Sequence, residues 1–497
     1  MLVSVGAAIW ALYIRDFGGF PNLDGWDGGT HVLIKDQFAT AIPAPYNGQI
    51  TYHALAWWFE QILGLDSLQS FSAAFYIGVA GAVAFPVTIL VSLLKEEMCT
   101  PRLSIIVGYV VSLLATLAIF WWVWLPLLHY NQAAGYYAHL FGLWPLGMLW
   151  AADAVVRSPL WRVTGLLLGL VLLRFTYALN LADAFVAVAF VLLLQGAPGR
   201  WRIIVSALAI GLGVAAWLVL SQLRPVFRIW GGIQRFTVDE ILRADLFLAG
   251  GGIVYAVLGS LTRRPREWAN SQLVRALRFP ILFALAGSSF LPLLRTGPGV
   301  KQYYVTKYLV WSCMLLAFAL VFMLAHLSMA LLRKSAFRSI TVWLRVALLA
   351  SLCAIVPGVW QKTFAGYRET FQERLLAKGP PYRFLRPLGD APTISRIKKT
   401  LSAEHKAFGG YLTAFFPTFS FMNATMGYHT GVQDFFPPLT TPGHCVFWVT
   451  KERDTYRLGP AQKLDAIRDR VASAGATCTE YSVPWKSTPQ SLCYHCY

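Results

Sequence analysis

The stretch VTKYLVWSCMLLAFALVFMLAHLSMALL, residues 305–332, contains no acidic residue and a single basic one, Lys307. It is longer than the roughly 20 apolar residues with which a helix crosses a hydrocarbon core of about 30 Å. Similar runs recur along the first 360 positions, and the chain of 497 residues is 57% hydrophobic but only 13% charged. A soluble protein could not bury so many fully apolar helices. The sequence therefore predicts a polytopic α-helical membrane protein.

About eleven apolar segments are predicted to cross the membrane. They cover approximately residues 1–14, 68–94, 103–127, 138–156, 163–178, 181–196, 203–222, 246–262, 279–295, 305–332 and 343–360. Lysine and arginine concentrate in every second connection, and such short basic loops stay in the cytoplasm by the positive-inside rule. These loops carry Lys95, Arg102, Arg157, Arg162, Arg200, Arg202, Arg263, Arg264, Arg266, Arg275, Arg278, Arg333, Lys334 and Arg338. The other connections (15–67, 128–137, 179–180, 223–245, 296–304) and the tail from 361 are then predicted to face outward from the plasma membrane.

The net charge of +18 does not indicate a nucleic-acid-binding protein. Its basic residues lie in the short loops between apolar segments, where they set membrane topology. No soluble segment carries the basic stripe with interleaved aromatic residues that nucleic-acid binding requires. The partner predicted from composition is the lipid bilayer.

The sequence predicts two domains, a transmembrane domain at 1–360 and a soluble outward domain at 361–497. Within the first, the long loop 15–67 contains two amphipathic pieces, 31–42 and 52–63, of the kind that lie as helices in the membrane interface. The short segments 163–178 and 181–196 flank Arg174 and Asp183, so we expect a helix pair whose polar residues face protein or a cavity. The tail is predicted to be a small α/β domain, with a helix at 459–475 and strands at 446–450 and 478–483.

Four of the seven cysteines lie in this tail: Cys445, Cys478, Cys493 and Cys496. In an oxidising compartment they could form two disulfides, and four cysteines allow three pairings between which the sequence does not choose. The alternative is a zinc site at Cys493-Tyr-His-Cys496, although no second spaced pair accompanies it.

The first candidate catalytic residues are Asp24 and Asp27, which lie with His31 within eight positions of loop 15–67. Carboxylates at a membrane surface are costly and are rarely found there without a function. Either aspartate could act as a general base on an acceptor hydroxyl. His31 could orient the carboxylate, bind a phosphate or ligate a metal. The alternative is that the two aspartates only form turns with the glycines that follow them.

A second constellation precedes and enters the tenth segment, on the same predicted side. It comprises Arg295, Tyr303, Tyr304 and Lys307, with Lys307 about one helical turn beyond Tyr304. A cation there could hold a lipid-linked phosphate and stabilise the charge that develops on it. The alternative is that Lys307 snorkels to the interface and that the tyrosines belong to its aromatic belt.

Two further outward loops could contribute to substrate binding. One contains His129, Tyr130 and Asn131, followed by Tyr136, Tyr137 and His139, which together offer hydroxyl, imidazole and aromatic groups suited to a sugar. The other contains Asp239 and Glu240, which could supply a second carboxylate or contacts near the phosphate.

Taken together, these features resemble the GT-C class of integral-membrane glycosyltransferases. The resemblance lies in the Asp-containing first outward loop with its amphipathic helices, the short helix pair and the outward C-terminal domain. The run Tyr303-Tyr304-x-x-Lys307-x-x-x-Trp311 is similar to a Tyr-Tyr/Lys/Trp pattern in bacterial arabinofuranosyltransferase-like members.

The resemblance implies transfer of a sugar, with inversion, from a polyprenyl-phosphate donor to a cell-envelope glycan or lipid acceptor at the periplasmic face. The position that matches the family's base is Asp27 or Asp24. A second acidic motif of the kind that holds a metal in oligosaccharyltransferases is not evident, so a divalent cation is left open. Two rivals remain: a transporter or flippase of a lipid or glycan, and a non-catalytic scaffold whose tail binds a partner.

Overall fold

The structure is a computed structural model of the chain. It describes residues 35, 50–65, 67–96, 110, 139, 141–194, 200–222, 238–260, 271–294, 303–331, 340–355, 407–412, 444–450, 475, 477–481 and 490–496. The chain divides into two compact units. The helical unit comprises Met1–Ile9, Ile77–Tyr130 and Ala138–Glu369, and the second unit comprises Trp10–Tyr76, Asn131–Tyr137 and Thr370–Tyr497. The second unit therefore includes all of the first predicted outward loop, 15–67, and most of the tail.

Ten helices occur among the described residues; the first coincides with the amphipathic piece predicted at 52–63, and the other nine coincide with predicted membrane segments. They are α1 Ile50–Leu63, α2 Ser67–Glu96, α3 Leu143–Ala154, α4 Pro159–Thr176, α5 Leu181–Leu193, α6 Arg200–Gln222, α7 Val238–Ser260, α8 Gln272–Leu294, α9 Tyr303–Leu331 and α10 Ile340–Ile355. A 3-10 turn, Ala178–Asn180, joins α4 to α5. The predicted segments 1–14 and 103–127 lie outside the described residues, apart from residue 110.

Two helices begin well before the predicted segments do. Helix α7 starts at Val238, so Asp239 and Glu240 belong to its first turn and not to the preceding loop. Helix α8 starts at Gln272, so Arg275 and Arg278 are helical and buried, not part of a solvated basic loop. The sequence prediction was wrong at both starts because it followed apolar residues alone. Acidic residues suit the first turn of a helix, and buried arginines are tolerated where they have partners.

Helices α8 and α9 form the centre of the helical unit. Helix α8 packs against α3, α5, α7 and α9, and α9 also packs against α7. The most apolar window of α9 is 78% buried and that of α8 is 72% buried, whereas that of α4 is only 28% buried. A helix that is apolar on all sides is typical of such a central position.

The outer helices present apolar side chains on the surface of the unit. Leu160 and Trp161 of α4 are 70% and 68% exposed, and Leu208 and Val219 of α6 are also exposed. Exposed apolar surface of this extent is unfavourable in water but matches hydrocarbon. By length and composition, four helical stretches among the described residues could cross a membrane: Pro159–Thr176, Leu242–Gly259, Gln272–Leu291 and Leu309–Leu331. The helices therefore indicate a lipid bilayer environment, and the count of eleven crossings stays a prediction.

A polar contact joins the end of α3 to the beginning of α8. The Arg278 guanidinium donates two hydrogen bonds to the buried carboxylate of Asp153, one of them from Nε to Oδ2 at 2.9 Å. Arg275 donates to the carbonyl of Asp153 at 2.9 Å and to that of Val156 at 2.7 Å. Gln272 donates to the carbonyl of Ala154 at 2.7 Å. These bonds satisfy carbonyls that the end of a helix leaves without intrahelical partners. We call Asp153, Gln272, Arg275 and Arg278 the α3–α8 latch.

In the second unit, α1 matches the amphipathic piece predicted at 52–63. Tyr52, His53, Ala56 and Phe59 are buried, whereas Trp58 and Ile62, one turn apart, are 47% and 59% exposed. Glu60 forms an ion pair with the buried Lys35. A helix with protein on one side and exposed Trp and Ile on the other is suited to a membrane interface.

The second unit also contains a four-stranded sheet. Its strands are β1 Ala407–Leu412, β2 His444–Thr450, β3 Thr477–Tyr481 and β4 Gln490–Cys496, in the order β1-β2-β4-β3. Strand β4 pairs antiparallel with both β2 and β3, and β1 pairs parallel with β2. Strands β2 and β3 overlap those predicted at 446–450 and 478–483. The helix predicted at 459–475 lies outside the described residues except for Gly475, so an α/β domain stays a prediction.

Candidate functional site

Three aromatic side chains meet where α3, α4 and α9 approach one another. The His139 ring stacks on the Trp311 ring, with centroids 4.7 Å apart and planes 10° from parallel. Tyr177 contacts both rings, at 4.9 Å from His139 and 5.1 Å from Trp311. All three side chains are buried. We call His139, Tyr177 and Trp311 the aromatic triad.

Local backbone structure explains how the triad forms. Tyr177 ends α4 in an extended conformation, with φ −162° and ψ 94°, and the 3-10 turn begins immediately after it. His139 lies just ahead of α3, and its carbonyl accepts a hydrogen bond from the Gly142 amide at 3.0 Å. A Cβ atom on Gly142 would lie 2.1 Å from the Trp311 ring. Glycine is therefore required at position 142 for the indole to occupy this place.

A buried carboxylate, Asp183, follows Tyr177 of the triad by six residues. Asp183 lies in the first turn of α5 and is fully buried. Its Oδ2 accepts a hydrogen bond from Asn180 Nδ2 at 3.1 Å, and its Oδ1 accepts one from Trp217 Nε1 of α6 at 3.0 Å. The Trp217 ring in turn stacks on Phe290 of α8 at 5.2 Å. The prediction that Asp183 faces protein is confirmed, whereas Arg174 is exposed at the end of α4.

A second buried carboxylate, Asp245 of α7, contacts α9. The Cys313 thiol donates to Asp245 Oδ1 at 2.9 Å. The other carboxylate oxygen, Oδ2, and the indole nitrogen of Trp311 are buried and have no hydrogen-bond partner among the described residues. Buried polar atoms in that state call for an explanation, such as a bound water or ligand. Asp245 contacts Cys313, which is two residues from Trp311 on α9. Asp245 Oδ2 and Trp311 Nε1 therefore belong to neighbouring parts of the helical unit.

These groups share one end of their helices. His139, Tyr177, Asp183, Asp245 and Trp311 all lie at or near segment ends that the charge alternation predicts to face outward. The α3–α8 latch joins the opposite, basic ends. Each of these contacts therefore joins helix ends that are predicted to lie on the same side of the membrane. This agrees with the predicted alternation of basic and outward loops. Which end faces the cytoplasm stays a prediction.

Most of the predicted site residues lie outside the described part of the chain. These are Asp24, Asp27, His31, His129, Tyr130, Asn131 and Arg295. The backbone of Tyr303, Tyr304 and Lys307 forms the first turns of α9, and that of Asp239 and Glu240 forms the first turn of α7. The structure brings together one residue from each of two predicted groups, His139 and Trp311. The structure also places Tyr177 and Asp245 in the candidate site. In the sequence, each could have been found as a polar residue at the edge of an apolar segment.

No group of three or more metal-ligating side chains occurs among the residues that the structure describes. The predicted acidic loop that could hold a divalent cation lies outside the described residues. Comparison of the chain with protein-family models, with curated proteins and with solved structures found no match.

The candidate site is defined by the contacts given above: the aromatic triad, the Asp183 network and the Asp245–Cys313 pair.

Proposed function

We propose that this protein is an inverting, integral-membrane glycosyltransferase of the GT-C class. It would transfer a sugar from a polyprenyl-phosphate donor to a cell-envelope glycan or lipid acceptor at the outer face of the membrane. The observation that supports this most is the stacking of His139 on Trp311. His139 ends the loop proposed to bind sugar, and Trp311 ends the motif proposed to bind the donor's phosphate.

The helical geometry of α9 links this contact to the proposed phosphate site. Lys307 precedes Trp311 by four residues on one helix, so the two positions share a face and are about 6 Å apart along the axis. Tyr303 precedes Lys307 by the same interval. A phosphate near Lys307 would thus lie about one turn from the aromatic triad. Aromatic rings offer the apolar faces against which a sugar or a polyprenyl chain can pack.

The proposed reaction is a single displacement. The acceptor hydroxyl attacks the anomeric carbon of the donor, and the bond between that carbon and the phosphate oxygen breaks. Asp27 or Asp24 takes the hydroxyl proton as general base. The polyprenyl phosphate leaves with an additional negative charge, which Lys307 and Arg295 stabilise. Attack from the side opposite the leaving group inverts the anomeric configuration.

The experiment is sugar transfer by the full chain reconstituted in lipid vesicles with labelled polyprenyl-phosphate sugars. We expect the Asp24→Asn, Asp27→Asn double variant to lose at least about 100-fold in rate, since general-base catalysis contributes about 10²–10⁴-fold. A matched control is Glu96→Gln, at the end of α2 that is predicted to be cytoplasmic. Normal transfer by the double variant would end the proposal.

A transporter or flippase of a lipid or glycan is the second candidate. It is favoured by the buried carboxylates of Asp183 and Asp245, because ionisable groups within membrane helices commonly line substrate or ion pathways. Counterflow of a labelled lipid-linked sugar across sealed vesicles, with no covalent product, would favour this candidate. This function would be established if Asp183→Asn lost counterflow while neither the wild type nor the variant transferred sugar.

A further inference from the structure

We propose that the sheet of the second unit carries two disulfides, Cys445–Cys496 and Cys478–Cys493. All four cysteines lie in strands, and each is directly opposite another in the register. Cys445 of β2 pairs with Cys496 of β4, and Cys478 of β3 pairs with Cys493 of β4. This inference does not depend on the proposed enzyme activity.

The register places both pairs within bonding range. Directly opposite residues of an antiparallel pair have Cα atoms about 4.5–5.5 Å apart. Disulfides join residues whose Cα atoms are about 4.4–6.8 Å apart. Because each pair is part of a continuous antiparallel ladder, neither bridge requires the strands to move.

The same register excludes the other two pairings. Cys445 and Cys478 lie on β2 and β3, which flank β4, so two strand spacings of about 4.8 Å separate them. Cys493 and Cys496 are three residues apart on one strand, which corresponds to about 10 Å. The crossed combination, Cys445 with Cys493 and Cys478 with Cys496, would add a three-residue offset to the strand spacing. Each of these separations exceeds the limit of about 7 Å.

The strand geometry also argues against a zinc site at Cys493 and Cys496. Positions an odd number of residues apart belong to opposite faces of a strand. Two thiolates on one zinc ion each lie about 2.3 Å from the metal, so they must approach within about 4 Å of each other. Positions 493 and 496 do not meet that condition in β4. The two proposed bridges are instead on opposite faces of the sheet, one across each side of β4.

Each bridge forms by the loss of two protons and two electrons from a pair of thiols. The electrons pass to a protein disulfide donor through a mixed disulfide, and the donor is reduced to its dithiol. Such donors operate in oxidising compartments outside the cytoplasm. The proposal therefore requires the sheet to face outward, which is the side that the charge alternation predicts for the tail.

Peptide mapping of the full chain tests the pairing. Native membranes are dissolved in denaturant with N-ethylmaleimide, and the protein is digested with trypsin and then with chymotrypsin without reduction. Trypsin cuts after Lys451 and Lys486, which separates Cys445, Cys478 and the C-terminal peptide. Chymotrypsin cuts after Tyr494, which lies between Cys493 and Cys496. Mass spectrometry then identifies each linked pair on its own.

We expect the Cys445 peptide linked to the Cys496 fragment and the Cys478 peptide linked to the Cys493 fragment. Cys353, a free thiol in α10, should carry N-ethylmaleimide in the same sample and so controls for alkylation. Alkylation of all four tail cysteines, or any other linkage between them, would overturn the proposal.

Single variants provide an independent measurement. In Cys445→Ser, Cys496 should become alkylated while the link between Cys478 and Cys493 remains. In Cys478→Ser, Cys493 should become alkylated while the link between Cys445 and Cys496 remains. Cys353→Ser should leave both links intact. A variant in which the remaining three cysteines re-pair would contradict the assigned register.

Discussion

Gly142 illustrates how a single residue positions the candidate site. It lies at the start of α3, where the Trp311 ring occupies the space that any side chain would need. The same indole stacks on His139 and contacts Tyr177. The aromatic triad therefore depends on the absence of one methyl group.

We predict that Gly142→Ala displaces Trp311 and disrupts the triad. Overpacking of this kind costs about 1–3 kcal/mol in the free energy of unfolding. The measurements are thermal unfolding in detergent and sugar transfer in vesicles. The rate of sugar transfer should fall at least about tenfold. Gly250→Ala in α7 is the matched control, because a Cβ atom there meets nothing within 4 Å. If both variants have equal stability and activity, the triad has no role in either.

At the scale of elements, the α3–α8 latch shows how a buried ion pair joins two helices. Asp153 is fully buried and its carboxylate accepts two hydrogen bonds from Arg278, while Arg275 and Gln272 donate to carbonyls at the end of α3. Burying either charge alone is far more costly than burying the pair. The latch thus couples the two helices through residues more than 100 positions apart.

We predict that Arg278→Met lowers the free energy of unfolding by about 3–5 kcal/mol, since it removes one partner of a buried ion pair, the guanidinium that donates two hydrogen bonds to the Asp153 carboxylate. The double variant Asp153→Asn, Arg278→Met should be more stable than Arg278→Met alone. Arg243→Met, at an exposed position of α7, should change stability by no more than about 0.5 kcal/mol. Thermal unfolding of the four proteins in one detergent provides the comparison. Equal losses for Arg278→Met and Arg243→Met would show that the ion pair contributes nothing.

At the scale of the whole molecule, the arrangement of polar contacts follows the predicted membrane topology. The latch residues lie at segment ends next to basic loops, and the aromatic triad, Asp183 and Asp245 lie toward the opposite ends. Such segregation is expected when each helix traverses the same apolar layer. It predicts that the two groups are on different sides of the bilayer.

Labelling of introduced cysteines measures this directly. Ser158, exposed between α3 and α4, should be cytoplasmic, whereas Arg243, exposed one turn into α7, should be near the outer face. In intact cells, a membrane-impermeant maleimide should label Arg243→Cys but not Ser158→Cys, and permeabilised cells should label both. The wild-type chain controls for native thiols. Labelling of Ser158→Cys alone in intact cells would reverse the orientation and exclude an outward-facing site.

Local properties of the sequence predicted most of the described helices, but not where α7 and α8 begin. Long apolar runs such as 305–332 predicted α9 to within two residues, because the free energy of transferring a segment into lipid depends on that segment alone. The starts of α7 and α8 were missed, because Asp239, Arg275 and Arg278 read as loop residues until their helical positions and, for the arginines, their partners are known. The predicted base residues, Asp24 and Asp27, stay predictions, since they are not among the described residues.

The sequence by itself determined that the chain is a helical membrane protein and where its apolar segments lie, while the side of the membrane that each connection faces stays a prediction. Only the tertiary structure decided that His139 meets Trp311, that Asp153 accepts hydrogen bonds from Arg278 and that each tail cysteine occupies a strand position opposite another cysteine. The physical reason is the distance along the chain over which each property is set. Segment hydrophobicity is a sum over neighbouring residues, whereas these contacts join side chains or strands that only packing and register bring together.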